Sequence, residues 1–137
     1  MTHPEWRGLI APAMDARRSQ VYTALFRSDK EGISRISPDT ACSVSEAADQ
    51  IPAGEPVLVC GDGAELLYRE MIQKGFDAVL APIHSRYQSA DGIALAAPSV
   101  PACSSSDLMP NYLRKSQAER EKEEREKASG SKQEYTV

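Results

Sequence analysis

The sequence has few of the residues on which metal and thiol chemistry depend. Its 137 residues include two histidines and three cysteines, Cys42, Cys60 and Cys103, which form no Cys-x-x-Cys pair. A structural zinc site needs about four closely spaced Cys or His ligands, so none is expected. No His-Glu-x-x-His, Gly-x-Ser-x-Gly or Cys/His arrangement supports a peptidase. Unpaired thiols are typical of a reducing compartment, which favours the cytoplasm.

Long apolar runs and an excess of positive charge are also missing. No segment approaches the ~18 consecutive apolar residues of a membrane helix, and LIAPAM at 9–14 is too short for a signal peptide. The net charge is −4, and residues 1–113 carry 9 Lys+Arg against 14 Asp+Glu. Phosphate neutralisation by Lys and Arg supplies most of the affinity for nucleic acids. Neither a membrane nor direct nucleic-acid binding is therefore expected.

What is present predicts one folded domain and a tail. Apolar residues make up 41% and charged residues 26%, an ordinary globular mix, and we assign the domain to residues 1–113. After a Pro/Ser linker at 98–106, the cluster DLMPNYLR at 107–114 is expected to fold back on this domain. Residues 114–137 predict a charged tail, partly helical or disordered. Opposite charges stand four residues apart in it, at Arg120/Glu124, Glu121/Arg125, Lys122/Glu126 and Glu123/Lys127.

The first third of the chain predicts antiparallel strands. LIAPAM at 9–14 and VYTALF at 21–26 flank the polar bend DARRSQ, as in a hairpin, and residues 33–37 add a third strand. A short helix follows, with Ser43 or Ser45 as its N-cap. This segment therefore forms one side of a sheet and leads into a helix.

A βαβ unit gives the clearest signal in the sequence. VLVC at 57–60 is continuously apolar, as in a strand covered on both faces. Helical spacing then predicts a helix that ends at Gly75, followed by a strand at 77–81 and a helix at 89–97. The apolar face of the first of these helices consists of Ala64, Leu67, Tyr68, Met71 and Ile72. The βββαβαβα order is typical of an α/β, ribonuclease H-like fold with a mixed five-stranded sheet, in which the first and fourth strands are parallel neighbours.

Two carboxylates follow the strands that this fold places side by side. Asp15 ends the first strand and Asp62 follows the fourth, at the sheet edge where open α/β sheets bind ligands. Gly61 and Gly63 would let a ligand approach the backbone, and the next helix begins with an N-terminus that favours anions. A phosphate or Mg²⁺ site is one interpretation of these residues. The protein would then be a small Mg-dependent phosphohydrolase or ATPase that uses Asp15 and Asp62.

A structural interpretation of the same residues stands beside it. Gly-Asp-Gly is also ordinary turn chemistry between a strand and a helix, with Asp62 capping the helix, and Asp15 could pair with Arg17 or Arg18 across a hairpin bend. A two-metal nuclease would need more carboxylates than these two. The sequence offers no obvious third or fourth member of such a set.

Three motifs resemble the second half of the TsaB (YeaZ) family over residues 9 to about 120. In chain order they are MDARRSQVYTALF, CGDGA and DLMPNYLRKSQAE. The resemblance implies a C-terminal ribonuclease H-like domain of the actin-like ATPase superfamily. It also implies a non-catalytic scaffold in the complex that forms threonylcarbamoyladenosine in tRNA, with a TsaD-like catalytic subunit and a TsaE-like ATPase as partners of the full-length protein.

The resemblance also implies a degenerate site. Nucleotide-binding relatives carry an Asp-x-Gly phosphate loop where this chain has Asp15-Ala16-Arg17, and the missing glycine hinders close approach of phosphate. Asp15, Arg17, Gly61, Asp62 and Gly63 are the predicted remnant of that site, with no catalytic residue, metal or cofactor expected. The family's N-terminal half has no counterpart before Trp6, so the chain is expected to be truncated. Surface left uncovered by that half favours a homodimer.

Overall fold

The structure is a computed structural model and describes residues 5–130. Seven strands lie in this range: β1 (Gly8–Asp15), β2 (Gln20–Thr23), β3 (Phe26–Ser28), β4 (Ile33–Arg35), β5 (Thr40–Ser43), β6 (Val57–Cys60) and β7 (Ala78–Leu80). The α-helices of the same range are α1 (Val44–Asp49), α2 (Ala64–Gln73), α3 (Ile83–Arg86), α4 (Ala90–Ala96) and α5 (Gln117–Gly130). No helix in the described range is long and apolar enough to cross a membrane.

The strands form one mixed sheet with β1 at its centre. β1 pairs antiparallel with β2 and β3 on one side and parallel with β6 on the other, where Leu9 lies opposite Val57. β4 and β5 extend the antiparallel side, and β7 extends the parallel side. The predicted parallel pairing of the first strand with the segment at 57–60 is confirmed, as is the mixed α/β class.

The sheet has seven strands where five were predicted, because two of the predicted strands are divided. The strand predicted at 21–26 consists of β2 and β3, which keep a single register along β1 from Asp15↔Val21 to Gly8↔Ser28. The break falls opposite Pro12, which has no N–H to donate to the ladder. The Thr23 hydroxyl donates to the Pro12 carbonyl instead, at 2.8 Å.

The strand predicted at 33–37 is likewise one part of a divided strand. It is formed by β4, and β5 continues its path beside β2 after a bend. At the bend, the Leu25 carbonyl accepts hydrogen bonds from the Ile36 and Ser37 N–H groups at 2.7 and 3.2 Å. β5 is a strand beyond those predicted, because its four residues Thr-Ala-Cys-Ser lack a strong apolar alternation.

One face of the sheet packs on α1 and α2 and contains the main core. Its largest fully buried side chains are Leu9, Val21, Val57, Val59, Leu67 and Met71. The predicted inner face of α2 is correct for Ala64, Leu67 and Met71, whereas Ile72 is 46% exposed. Gly75 has φ +82°, and N–H groups of Gly75 and Phe76 donate to the carbonyls of Ile72 and Met71. This Schellman geometry confirms the predicted C-cap.

Helix α1 begins with a reciprocal cap. The Ser43 hydroxyl accepts from the Glu46 N–H at 3.2 Å, and the Glu46 carboxylate accepts from the Ser43 N–H at 2.9 Å. Ser43 is therefore the N-cap that the sequence left undecided between two serines. These hydrogen bonds favour the charged carboxylate and lower the pKa of Glu46.

The C-terminal part differs from expectation in two respects. In the cluster at 107–114, Leu108, Met109 and Tyr112 are exposed, and Arg114 makes the return contact with the body by donating to the Ala16 carbonyl at 2.6 Å. The tail is helical in α5, where Lys122–Glu126 is the one of the four predicted charge pairs that forms an ion pair, at 3.9 Å. The rest of the predicted tail, 131–137, lies outside the described residues.

Loss of the cap should weaken the fold measurably. We expect Ser43→Ala to lower the free energy of unfolding by about 1 kcal/mol, because the Glu46 N–H at the start of α1 loses its acceptor. Ser34→Ala, in the exposed strand β4, is the matched control and should change it by less than about 0.5 kcal/mol. Urea unfolding measures both, and equal effects would contradict the capping role.

The same cap predicts a pH dependence. Because the pKa of Glu46 is lower in the folded than in the unfolded chain, its stabilisation is complete above the unfolded value of about 4.3 and is lost as pH falls through the folded value. Glu46→Gln should therefore be less stable than the wild type at pH 7, and this difference should shrink toward pH 3. A difference that is the same at both pH values would contradict the assignment.

Candidate functional site

The carboxyl ends of β1 and β6 meet at one edge of the sheet, as the sequence predicted. Asp15 is the last residue of β1, and Gly61-Asp62-Gly63 connects β6 to α2. The Asp62 carboxylate accepts a hydrogen bond from the Asp15 N–H at 2.9 Å, and the Gly63 N–H donates to the Ala13 carbonyl at 2.9 Å. The loop therefore holds the end of β1 by hydrogen bonds, and we call this arrangement the clasp.

Both glycines of the clasp are required by the closeness of β1. Gly61 has φ +100°, and a Cβ there would stand 2.0 Å from the Ala13 carbonyl oxygen. A Cβ on Gly63 would stand 2.8 Å from the Asp15 backbone nitrogen. One of the two interpretations of the sequence gives the space that these glycines leave to a ligand. In the structure the chain's own backbone fills it.

Asp62 has a different partner from the one that the structural interpretation gave it. The N-cap of α2 is Gly63, and no side chain caps that helix. The prediction that Asp62 caps α2 is therefore wrong. Its carboxylate binds the end of β1 instead, because β1 ends beside the loop that carries it.

The bend after Asp15 has an unusual backbone. Arg17, Arg18 and Ser19 all have left-handed conformations, with φ 65°, 53° and 57°. The Gln20 N–H donates to the Arg17 carbonyl at 3.0 Å, which closes a turn of the type I′ kind over Arg18 and Ser19. Such turns normally contain Asn or Gly, since left-handed backbone costs other residues roughly 1–2 kcal/mol each.

Hydrogen bonds from outside the turn support this strained backbone. The Asp15 carboxylate accepts from the Arg17 N–H at 2.7 Å, and the Arg114 guanidinium donates to the Ala16 carbonyl at 2.6 Å. Between residues 5 and 130, Asp15 forms no ion pair with Arg17 or Arg18. The predicted salt bridge is thus replaced by a side-chain-to-backbone bond that fixes the turn.

A shallow cavity of about 320 Å³ opens beside the clasp. Of the five predicted site residues, Asp15, Gly61 and Asp62 line it, while Arg17 and Gly63 do not. Two arginines that were not among the predicted site residues also lie in its wall, Arg69 on α2 and Arg86 on α3. Only the four-residue spacing from Glu65 to Arg69 could have indicated one of them.

The two arginines of the cavity already have an acidic partner. Glu65 lies 3.1 Å from the Arg86 guanidinium and 3.7 Å from that of Arg69. Arg86 also donates to the Ala81 carbonyl at 2.9 Å and is largely buried. Within the described range, no group of three or more His, Cys, Asp or Glu side chains is placed to hold a metal ion. The arginines beside the loop are therefore bound to groups of the chain itself, and the arrangement resembles a structural contact more closely than an open anion site.

Comparisons with known proteins agree with the resemblance in the motifs. The chain is 30% identical over 118 residues to the tRNA threonylcarbamoyladenosine biosynthesis protein TsaB of Bacillus subtilis (strain 168). The matched region covers 82% of this chain and 50% of that protein. The chain thus spans about half the length of the curated relative it matches. No protein-family model matches it.

A solved structure has a similar fold. It is that of an uncharacterized protein with similarity to peptidase YEAZ from Pseudomonas aeruginosa, with a TM-score of 0.58 and 18% identity over 81% of this chain and 51% of that one. The predicted likeness to TsaB (YeaZ) proteins is confirmed.

The clasp predicts unequal effects of two glycine substitutions. Gly54→Ala meets no atom within 4 Å and should cost only the left-handed backbone strain at φ +95°, about 1–2 kcal/mol. Gly61→Ala adds the overlap with the Ala13 carbonyl and should cost about 3–4 kcal/mol. Urea unfolding of both variants tests this, and equal losses would mean that β1 does not lie against Gly61.

Proposed function

We propose that this chain is a non-catalytic subunit of the machinery that forms threonylcarbamoyladenosine in tRNA. Its partners are a TsaD-like catalytic subunit and a TsaE-like ATPase, and it works in the cytoplasm. Its domain is a ribonuclease H-like, C-terminal domain of the actin-like ATPase superfamily. The likeness to TsaB over 82% of the chain supports this assignment.

The clasp is the observation that carries the non-catalytic part of the proposal. In nucleotide-binding relatives this edge would have to admit a phosphate, yet here Gly61 and Gly63 contact the backbone of β1. The Asp62 carboxylate is held by the Asp15 N–H, and the Asp15 carboxylate by the Arg17 N–H. These contacts give both carboxylates and both glycines a partner within the chain, which supports a structural role for the site residues.

The bend supports the idea that the site is inherited. Arg17 stands where the phosphate loop of nucleotide-binding relatives has glycine, and its φ of 65° lies in the region that glycine favours. A lost phosphate loop is expected to leave a backbone conformation that glycine favours at a position where another residue now stands. Asp15, Arg17, Gly61, Asp62 and Gly63 are therefore assigned as a degenerate phosphate site that takes no cofactor.

Reconstitution of tRNA modification tests the assignment. The protein, mixed with TsaD-like and TsaE-like subunits of the same organism, should be required for threonylcarbamoyladenosine formation, while hydrolysing no ATP by itself. Asp15→Asn should leave the modification rate within about twofold, since Asn keeps an oxygen that can accept from the Arg17 N–H. ATP hydrolysis by the purified protein that Asp15→Asn abolishes would instead establish a phosphohydrolase.

A further inference from the structure

The sheet face opposite the main core carries an apolar valley. One cavity, of about 460 Å³, lies over β1 and β2, and a second, of about 220 Å³, lies over β1 and β6. Both are lined by Pro12 and Met14 of β1, so they adjoin across that strand. Met14 is 47% exposed at this junction. The valley is therefore an apolar surface open to water at the centre of the sheet.

Helix α4 is an apolar element without a surface to pack on. None of its residues is buried, and Ile93 and Leu95 are 70% and 68% exposed. Helical spacing places Ile93 on one face with Ala90, Ala94 and Ala97, and Leu95 on the opposite face with Asp91. An isolated helix of seven residues is unstable in water, because helices shorter than about 12–15 residues are marginal by themselves. It needs a partner surface.

The segment that contains α4 is attached at both sides of the valley. Tyr87 and Gln88 line the smaller cavity on the β6 side, and residues 111–114 line the larger one on the β2 side. The 22 residues between these two walls can extend over about 70 Å. The valley is only a few strands wide, at about 5 Å per strand. The chain thus leaves one wall of the valley and returns to the other.

We propose that residues 89–110 form a lid that closes on the valley, with the Ala90/Ile93/Ala94 face of α4 against Pro12 and Met14. Closure covers two apolar surfaces that the described conformation leaves in water. The closed lid occupies the valley, so that any other apolar ligand must displace α4 to enter. The valley lies on the sheet face opposite the main core, so the lid does not depend on the proposed function.

Amide hydrogen exchange of the full chain tests the lid. We expect the α4 amides to exchange at least about tenfold more slowly than unprotected amides, because closure stabilises the helix. Met14→Asp, which places a charge in the valley, should remove that protection although residue 14 lies outside α4. Ile33→Asp, on the exposed strand β4, should leave it unchanged, and protected core amides of β1 and β6 establish that each variant is folded.

Two substitutions within α4 keep the test independent of the sheet. Ile93→Asp should abolish the protection and Leu95→Asp should not, since only Ile93 lies on the face proposed to enter the valley. Unprotected α4 amides in the wild-type chain, or equal effects of these two variants, would overturn the lid. Protection that grows with protein concentration would also overturn it, because the valley would then be covered by a second copy.

Discussion

The contact between the end of β1 and the Gly61-Asp62-Gly63 loop determines where four of the five predicted site residues lie, namely Asp15, Gly61, Asp62 and Gly63. β1 and β6 are parallel neighbours, so their carboxyl ends must leave the sheet together, and only residues without a Cβ allow the two backbones to come this close. The Asp62 carboxylate and the Gly63 N–H complete the contact by binding the backbone of β1. The Gly61-Asp62-Gly63 loop is therefore a contact between the ends of two neighbouring strands.

Much of this architecture could be predicted because local patterns and tertiary packing agree. The apolar run at 57–60 and the helix that ends at Gly75 follow from burial and glycine chemistry, and the parallel pairing with β1 follows from the predicted order of strands and helices. The divided strands could not be predicted in the same way. The break between β2 and β3 depends on Pro12, which lies on another strand, and β5 is held beside β2 by a bend whose hydrogen bonds come from Leu25 and Ser37.

The candidate site could likewise be predicted only in part. Sequence reasoning brought Asp15 and Asp62 to one edge, because strand order alone decides that. It could not determine the partners of their carboxylates, since the Asp62 carboxylate accepts from the Asp15 N–H at the end of β1 and the Asp15 carboxylate accepts from the Arg17 N–H in the left-handed turn. Arg86 in the cavity wall and Arg114 on the Ala16 carbonyl were missed for a related reason. Both reach the edge from distant segments, and no spacing in the sequence records such contacts.

The most direct test of this account is amide hydrogen exchange at Asp15 and Gly63, measured by NMR with and without Mg·ATP. Both N–H groups are donors in the clasp, to the Asp62 carboxylate and the Ala13 carbonyl. We expect both to be protected, and neither their exchange rates nor their chemical shifts to change on addition of the nucleotide. Rapid exchange at both amides, or saturable shifts with Mg·ATP, would contradict a closed edge.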